Sequence, residues 1–129
     1  MQQPSGTARG GPPAGAVVHL VAELTGVATS CLHDTDLLGG LLIAAAGAAG
    51  LHAASTPMLR TTHLRGVDGI LLLDGGHAAV HAQADRGTLL VDFVAPVPVD
   101  LARALEVFTR RLGPAAVAAE RIVRVGIVP

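Results

Sequence analysis

Lysine, tryptophan and tyrosine are all missing from this chain of 129 residues, and phenylalanine occurs only at Phe93 and Phe108. All nine basic residues are arginines. Without lysine no side chain can form a Schiff base, which excludes pyridoxal-phosphate and class I aldolase chemistry carried by this chain. With so few rings, stacking on a nucleobase would depend on a partner's side chains. The single cysteine, Cys31, rules out an internal disulfide and has only His33 nearby to activate it, so it reads as an inert thiol. No signal-peptide pattern opens the chain, and together with the lone thiol this gives a cytoplasmic expectation. Net charge is −1 with a pI near 6.6, and no arginine run supplies the footprint of a nucleic-acid or anionic-membrane binder. The uncharged run 37–51 falls short of the ~20 residues that span a bilayer and is rich in Ala and Gly. It reads as a buried or dimer-facing helix.

What is present is apolar. Half the residues are hydrophobic and mean hydropathy is +0.54, which excludes a disordered chain, and the length suits one domain. Residues 1–15, rich in Gly and Pro without a period, read as a disordered arm before a folded domain over 16–129. Residues 16–24 form an apolar strand with His19 and Glu23 on one face, and 25–30 a loop. Asp34 or Thr35 caps a helix that Gly50 stops, and Pro57 breaks 51–64 into an edge strand. Residues 67–73, 77–82 and 88–94 make a three-strand meander whose turns are Gly75-Gly76 and Asp85-Arg86-Gly87. Asp100 opens a second helix with Leu101, Leu105, Phe108 and Leu112 on one stripe, closed by Gly113-Pro114. A strand over 117–128 completes the order β-α-β-β-β-β-α-β. This is an α+β pattern: an antiparallel sheet with two helices on one face. The other sheet face is expected to be apolar and to associate sheet-on-sheet with a second protomer.

Four segments carry a resemblance. His19-Leu-Val-Ala-Glu23, Gly66-Val67-Asp68-Gly69, Gly76-His77 with His81, and Val91-Asp92-Phe93 resemble, in order and at family spacing, the bacterial S-adenosylmethionine decarboxylase proenzymes. The similarity runs from about residue 17 to 125. It implies that family's two-layer α/β sandwich, a dimer and a place in polyamine (spermidine) biosynthesis. Family members cut their own backbone before the serine of a Glu-Ser-His segment and convert that serine into a pyruvoyl group, the electron sink for decarboxylation.

The residues of that chemistry are absent. By the resemblance, Gly76 stands at the processing serine and Pro96 at the proton-donating cysteine. Asp68 stands at a serine that helps processing, and Thr62 and Gln83 near the aromatic partners of adenine. His81 holds the place of the processing histidine and Asp85 that of a glutamate associated with ribose binding; His77 and Asp92 also persist. No Ser, Thr or Cys lies between Leu64 and Gly87, so shifting the register restores nothing. A pyruvoyl cofactor is therefore not expected.

Plainer readings exist for each feature. Gly75-Gly76 suits a tight turn by itself. His77 and His81 share a strand face and might take a metal with Asp85 or Asp92, but no Cys or Glu-x-x-His pattern supports a closed site, so no metal is expected. His19, His33, His52 and His63 read as surface or loop residues. Asp68, if buried, needs Arg60 or Arg65. The leading functional expectation is a lyase homologue without self-processing, a pseudoenzyme of the polyamine pathway. It would bind a small cationic or amino-acid-like molecule through Asp68, Asp85 and Asp92, or modulate an active paralogue, as a homodimer or heterodimer. The alternative is an enzyme with His81 or His77 as general base on an S-adenosylmethionine-like or amino-acid substrate, oriented by Asp85 or Asp92. An ordinary adenosylmethionine decarboxylase ranks last, for want of a processing site.

Overall fold

Turn and cap chemistry divides the chain much as its pattern requires. The computed structural model describes residues 15–63 and 66–124. The expected arm therefore lies outside the described residues apart from Gly15, as do Arg65 and the last part of the expected final strand. In chain order the elements are β1 (Val17–Thr25), a one-turn helix α1 (Thr29–Leu32), α2 (Thr35–Ala48), β2 (Met58–Thr61), β3 (Gly66–Leu73), β4 (Gly76–Gln83), a 3-10 turn (Ala84–Arg86), β5 (Thr88–Pro96), α3 (Leu101–Leu112) and β6 (Ala116–Arg124). The Asp34 carboxylate accepts from Leu37 N at 3.0 Å and the Asp100 carboxylate from Arg103 N at 3.2 Å, satisfying otherwise orphaned amides at the two helix starts. Gly50 (φ 82°) and Gly113 (φ 54°) end the same helices in the left-handed conformation. The loop expected over 25–30 gives way to α1, because Leu32 is fully buried and the chain must turn sharply to bring it there.

The six strands form one antiparallel sheet in the order β2-β3-β4-β5-β1-β6, with the helices on one face, as the α+β reading requires. Alternation sets the two faces. Val18, Leu20, Ala22 and Leu24 of β1, Ala78, Val80 and Ala82 of β4, and Leu89, Val91, Phe93 and Ala95 of β5 point into the core. They meet Leu38, Leu41, Leu42 and Ala45 of α2 and Leu101, Ala104, Phe108 and Leu112 of α3. Leu105, placed on the buried stripe by sequence, is half-buried; Ala104 takes the interior position. The two phenylalanines meet across the layers with ring centroids 6.1 Å apart and planes inclined by 58°.

The opposite sheet face is not the apolar surface that the sequence led one to expect. It presents His19, Glu23, Arg60, Asp68, His77, His81, Asp92 and Glu120 among apolar residues such as Val21, Ile70, Leu72 and Leu90. The period of two that buries one set of residues exposes these others together. Phe108→Ala should cost roughly 3–5 kcal/mol by emptying the space under Phe93, read as a shift in the urea midpoint with the slope unchanged.

Candidate functional site

Two histidine–carboxylate clusters occupy the open face, and strand register builds both. Arg60, Asp68 and His81 stand directly opposite one another across β2, β3 and β4. His81 Nδ1 lies 2.8 Å from Asp68 Oδ1, and Arg60 Nε lies 3.5 Å from Asp68 Oδ2 as a looser, exposed ion pair. On the other side, His77 of β4 and His19 of β1 both oppose Val94 of β5. Asp92, two residues back on the same face, receives both: its Oδ1 is 2.6 Å from His19 Nε2 and its Oδ2 is 3.4 Å from His77 Nε2.

These contacts fix the protons. An ionised carboxylate only accepts, so His81 donates through Nδ1, and His19 and His77 through Nε2. In the neutral imidazoles, His81 Nε2 and the Nδ1 atoms of His19 and His77 are left with free lone pairs. The hydrogen bond from His81 holds the Asp68 carboxyl below its ordinary value, against the opposing effect of burial; the charges of His81 and Arg60 add to the lowering.

His81 stands where three hollows meet. One, of about 460 Å3, is a groove with Val21 and Leu90 on its floor and Glu23, Asp92 and Glu120 around it. A second, of about 400 Å3, lies between Met58, Arg60, Asp68, Ile70 and Ala79. The third, of about 600 Å3, opens at the strand ends between Arg60, Thr62, Asp68, Gln83 and Asp85. Asp68 and Asp85 thus share the strand-end hollow, whereas Asp92 belongs to the groove, and His81 and Leu90 touch both. His77 and His81 lie on one face but are drawn to different carboxylates. Among the described residues no group of three or more His, Cys, Asp or Glu is arranged to hold a metal ion.

His19 is the member that sequence reasoning placed on the surface. It lies 73 positions from Asp92. The available signal was its alternation with Glu23 in β1, which put it on the side away from the core. His33 and His52 are exposed and line none of these three hollows, whereas the exposed His63 lines the strand-end hollow. Cys31 is half-buried against the core.

The Gly75-Gly76 turn sits at the far end of β4 from His81. Gly75 adopts φ 81°, closing a hairpin in which Leu73 pairs with Gly76. A Cβ built on Gly76 would collide with the Val94 carbonyl oxygen and stand 2.8 Å from the carbonyl carbon and 3.0 Å from Ala95 Cα. Pro96 closes the other side: its Cγ lies 3.1 Å from where a Gly75 Cβ would be. Position 96 therefore faces the turn, as the resemblance implies, but carries a saturated ring.

A two-layer α+β sandwich with an ionisable open sheet face and a tight glycine hairpin defines the structural class. The chain belongs to the S-adenosylmethionine decarboxylase family, whose model matches residues 18–125. The fold is similar to the crystal structure of the adenosylmethionine decarboxylase from Aquifex aeolicus VF5, with TM-score 0.77, 24% identity, and coverage of 91% of this chain and 96% of that one. No curated protein sequence matches the chain. Family members are normally pyruvoyl-dependent through self-processing. The residues at the hairpin here do not fit that group, because Gly76 offers neither a hydroxyl nor space for a side chain.

Because its folded-state value is lowered, Asp68 stabilises the fold above its ordinary value of 3.8, and this contribution fades as pH falls through the lower folded value. Carboxyl titration by NMR should place Asp68 below 3.8, and His81→Ala should raise it toward that value.

Proposed function

We propose that this chain is a non-self-processing member of the S-adenosylmethionine decarboxylase family, one that keeps the fold and the open face but not pyruvoyl catalysis. The carrying observation is the backbone contact at Gly76. Self-processing needs a β-hydroxyl that attacks the preceding carbonyl, then elimination of the resulting ester to leave a ketone. Gly76 supplies no oxygen, and β5 occupies the volume that a serine Cβ would need. The loss is shared by Pro96, which has no transferable proton where the proton donor is expected.

The retained function in this proposal is binding in the polyamine pathway's chemical neighbourhood. Asp68 and Asp85 line the strand-end hollow with Arg60, suiting a small amino-acid-like cation, and Asp92 adds negative charge beside the groove. The loss of aromatic residues at Thr62 and Gln83, both lining the strand-end hollow, favours ligands recognised by charge over ligands recognised by a stacked base. A second copy, or a catalytically competent paralogue, set against the open face completes the proposal, with the reducing cytoplasm as its setting.

A second reading rests on the Asp68–His81 pair. A carboxylate that holds Nδ1–H leaves Nε2 as an oriented general base at the junction of three hollows. Of the sequence-level candidates for orienting a base, Asp92 contacts His77, whereas His81 is held by Asp68. In a turnover screen with S-adenosylmethionine and amino acids, this reading requires His81→Ala to lose activity by about 100-fold or more; equal activity in that variant removes it.

Intact mass of the purified chain separates the principal reading from an ordinary decarboxylase. One full-length polypeptide, unchanged by a reductant that traps ketones, is expected. Two fragments meeting between residues 75 and 76, or a ketone-capped fragment, would defeat the proposal. Gly76→Ala should destabilise the fold by about 1–3 kcal/mol, because backbone must move to admit the methyl group.

A further inference from the structure

The sheet has two ends, and only one is blunted. At one end β2 is four residues long, follows Pro57 and carries the outward Arg60, each a feature that discourages pairing with another chain. At the other end β6 runs for nine residues in unbroken register with β1, from Val17↔Arg124 to Thr25↔Ala116. It contains no proline and no bulge. Among the described residues it has a strand on one side only, and the helical layer stops short of it, so eight of its nine positions are exposed. Val117 and Val123 remain 43% and 41% exposed on the helix side. A long, regular, uncovered edge is a template for one more strand.

The charges of β6 select which strand that is. Glu120, Ile122 and Arg124 lie on the open face, opposite Val21, His19 and Val17 of β1. Among the described residues neither Glu120 nor Arg124 has an ion-pair partner. They stand two residues either side of Ile122. In an antiparallel pairing of two β6 strands about a two-fold axis through the sheet, residues facing each other must share a face, which restricts the centre of symmetry to a residue. Centred on Glu120 or on Arg121, the pairing sets like charges against each other, and centred on Ala118, Ala119 or Val123 it sets no charge of the strand against an opposite one. Centred on Ile122, it sets Glu120 against Arg124 of the second copy twice, with the two isoleucines between them.

We infer that β6 is a self-pairing edge, joining two copies of this chain into one continuous twelve-stranded sheet in the register centred on Ile122. The edge is separate from the Gly75-Gly76 hairpin, so this association stands whether or not the chain processes itself.

Charge reversal and charge swap on the full chain test it by sedimentation equilibrium. Arg124→Glu should raise the dissociation constant about tenfold or more, since two attractions become two repulsions, and halve the assembly mass at concentrations where the wild type is associated. The double variant Glu120→Arg with Arg124→Glu should restore the wild-type mass. Both positions are exposed, so unchanged thermal midpoints accompany these shifts. A monomeric wild type, an unchanged mass for Arg124→Glu, or a double variant that fails to recover would each overturn the inference. Leu72→Glu on the open face separates the two surfaces: a change in mass there without any response at 124 assigns the association to the open face and refutes β6 pairing.

Discussion

The position of β4 between β3 and β5 governs most of what this molecule can do. Hydrogen-bonded on both sides, β4 has no freedom to slip, and a one-residue slip would carry His77 and His81 into the core and Ala78, Val80 and Ala82 out of it. The same register presses Gly76 against the backbone of β5 at one end and sets His81 opposite Asp68 at the other. The lack of room for a side chain at residue 76 and the meeting of the ionisable cluster are thus two consequences of one pairing.

Two aspartates of the open face have histidine company. Asp68 holds His81 and the looser Arg60; Asp92 is shared by His19 and His77. These groups are partly solvated, so their ion pairs contribute little to stability. Their effect is orientation: each carboxylate holds one ring nitrogen of its histidines, and His81 borders the hollows. Apolar neighbours such as Val21, Ile70 and Leu90 make the same face sticky as well as charged. A surface of that kind suits recognition of small charged molecules and of another protein surface.

The family's chemistry is concentrated at the hairpin, and there the chain departs from it in several ways together. Gly76 lacks the hydroxyl, its surroundings lack the room, and Pro96 lacks the proton. One substitution would leave a damaged site, whereas these three features together are what the proposed non-self-processing reading requires. The fold has been kept because its stability comes from the core layers, with Phe93 on Phe108 and the α2 leucines beneath the sheet, none of which depends on the hairpin chemistry.

Local chemistry was sufficient for much of this. Asp34 and Asp100 as caps, Gly50 and Gly113 as stops, the apolar alternation of β4 and β5, and the missing oxygen at residue 76 are properties of short segments, readable without coordinates. The order of the strands was not, because β1 enters between β5 and β6 through contacts more than sixty residues apart, and no local propensity encodes them. For that reason His19 passed as a surface residue, Asp68 rather than Asp85 or Asp92 proved to hold His81, and the open face proved ionisable. Sequence by itself determined which side chains and which chemistry were available, since those are covalent facts. Tertiary structure alone decided which of them meet, since long-range register brings distant strands to about 5 Å of each other and turns separate alternations into shared sites.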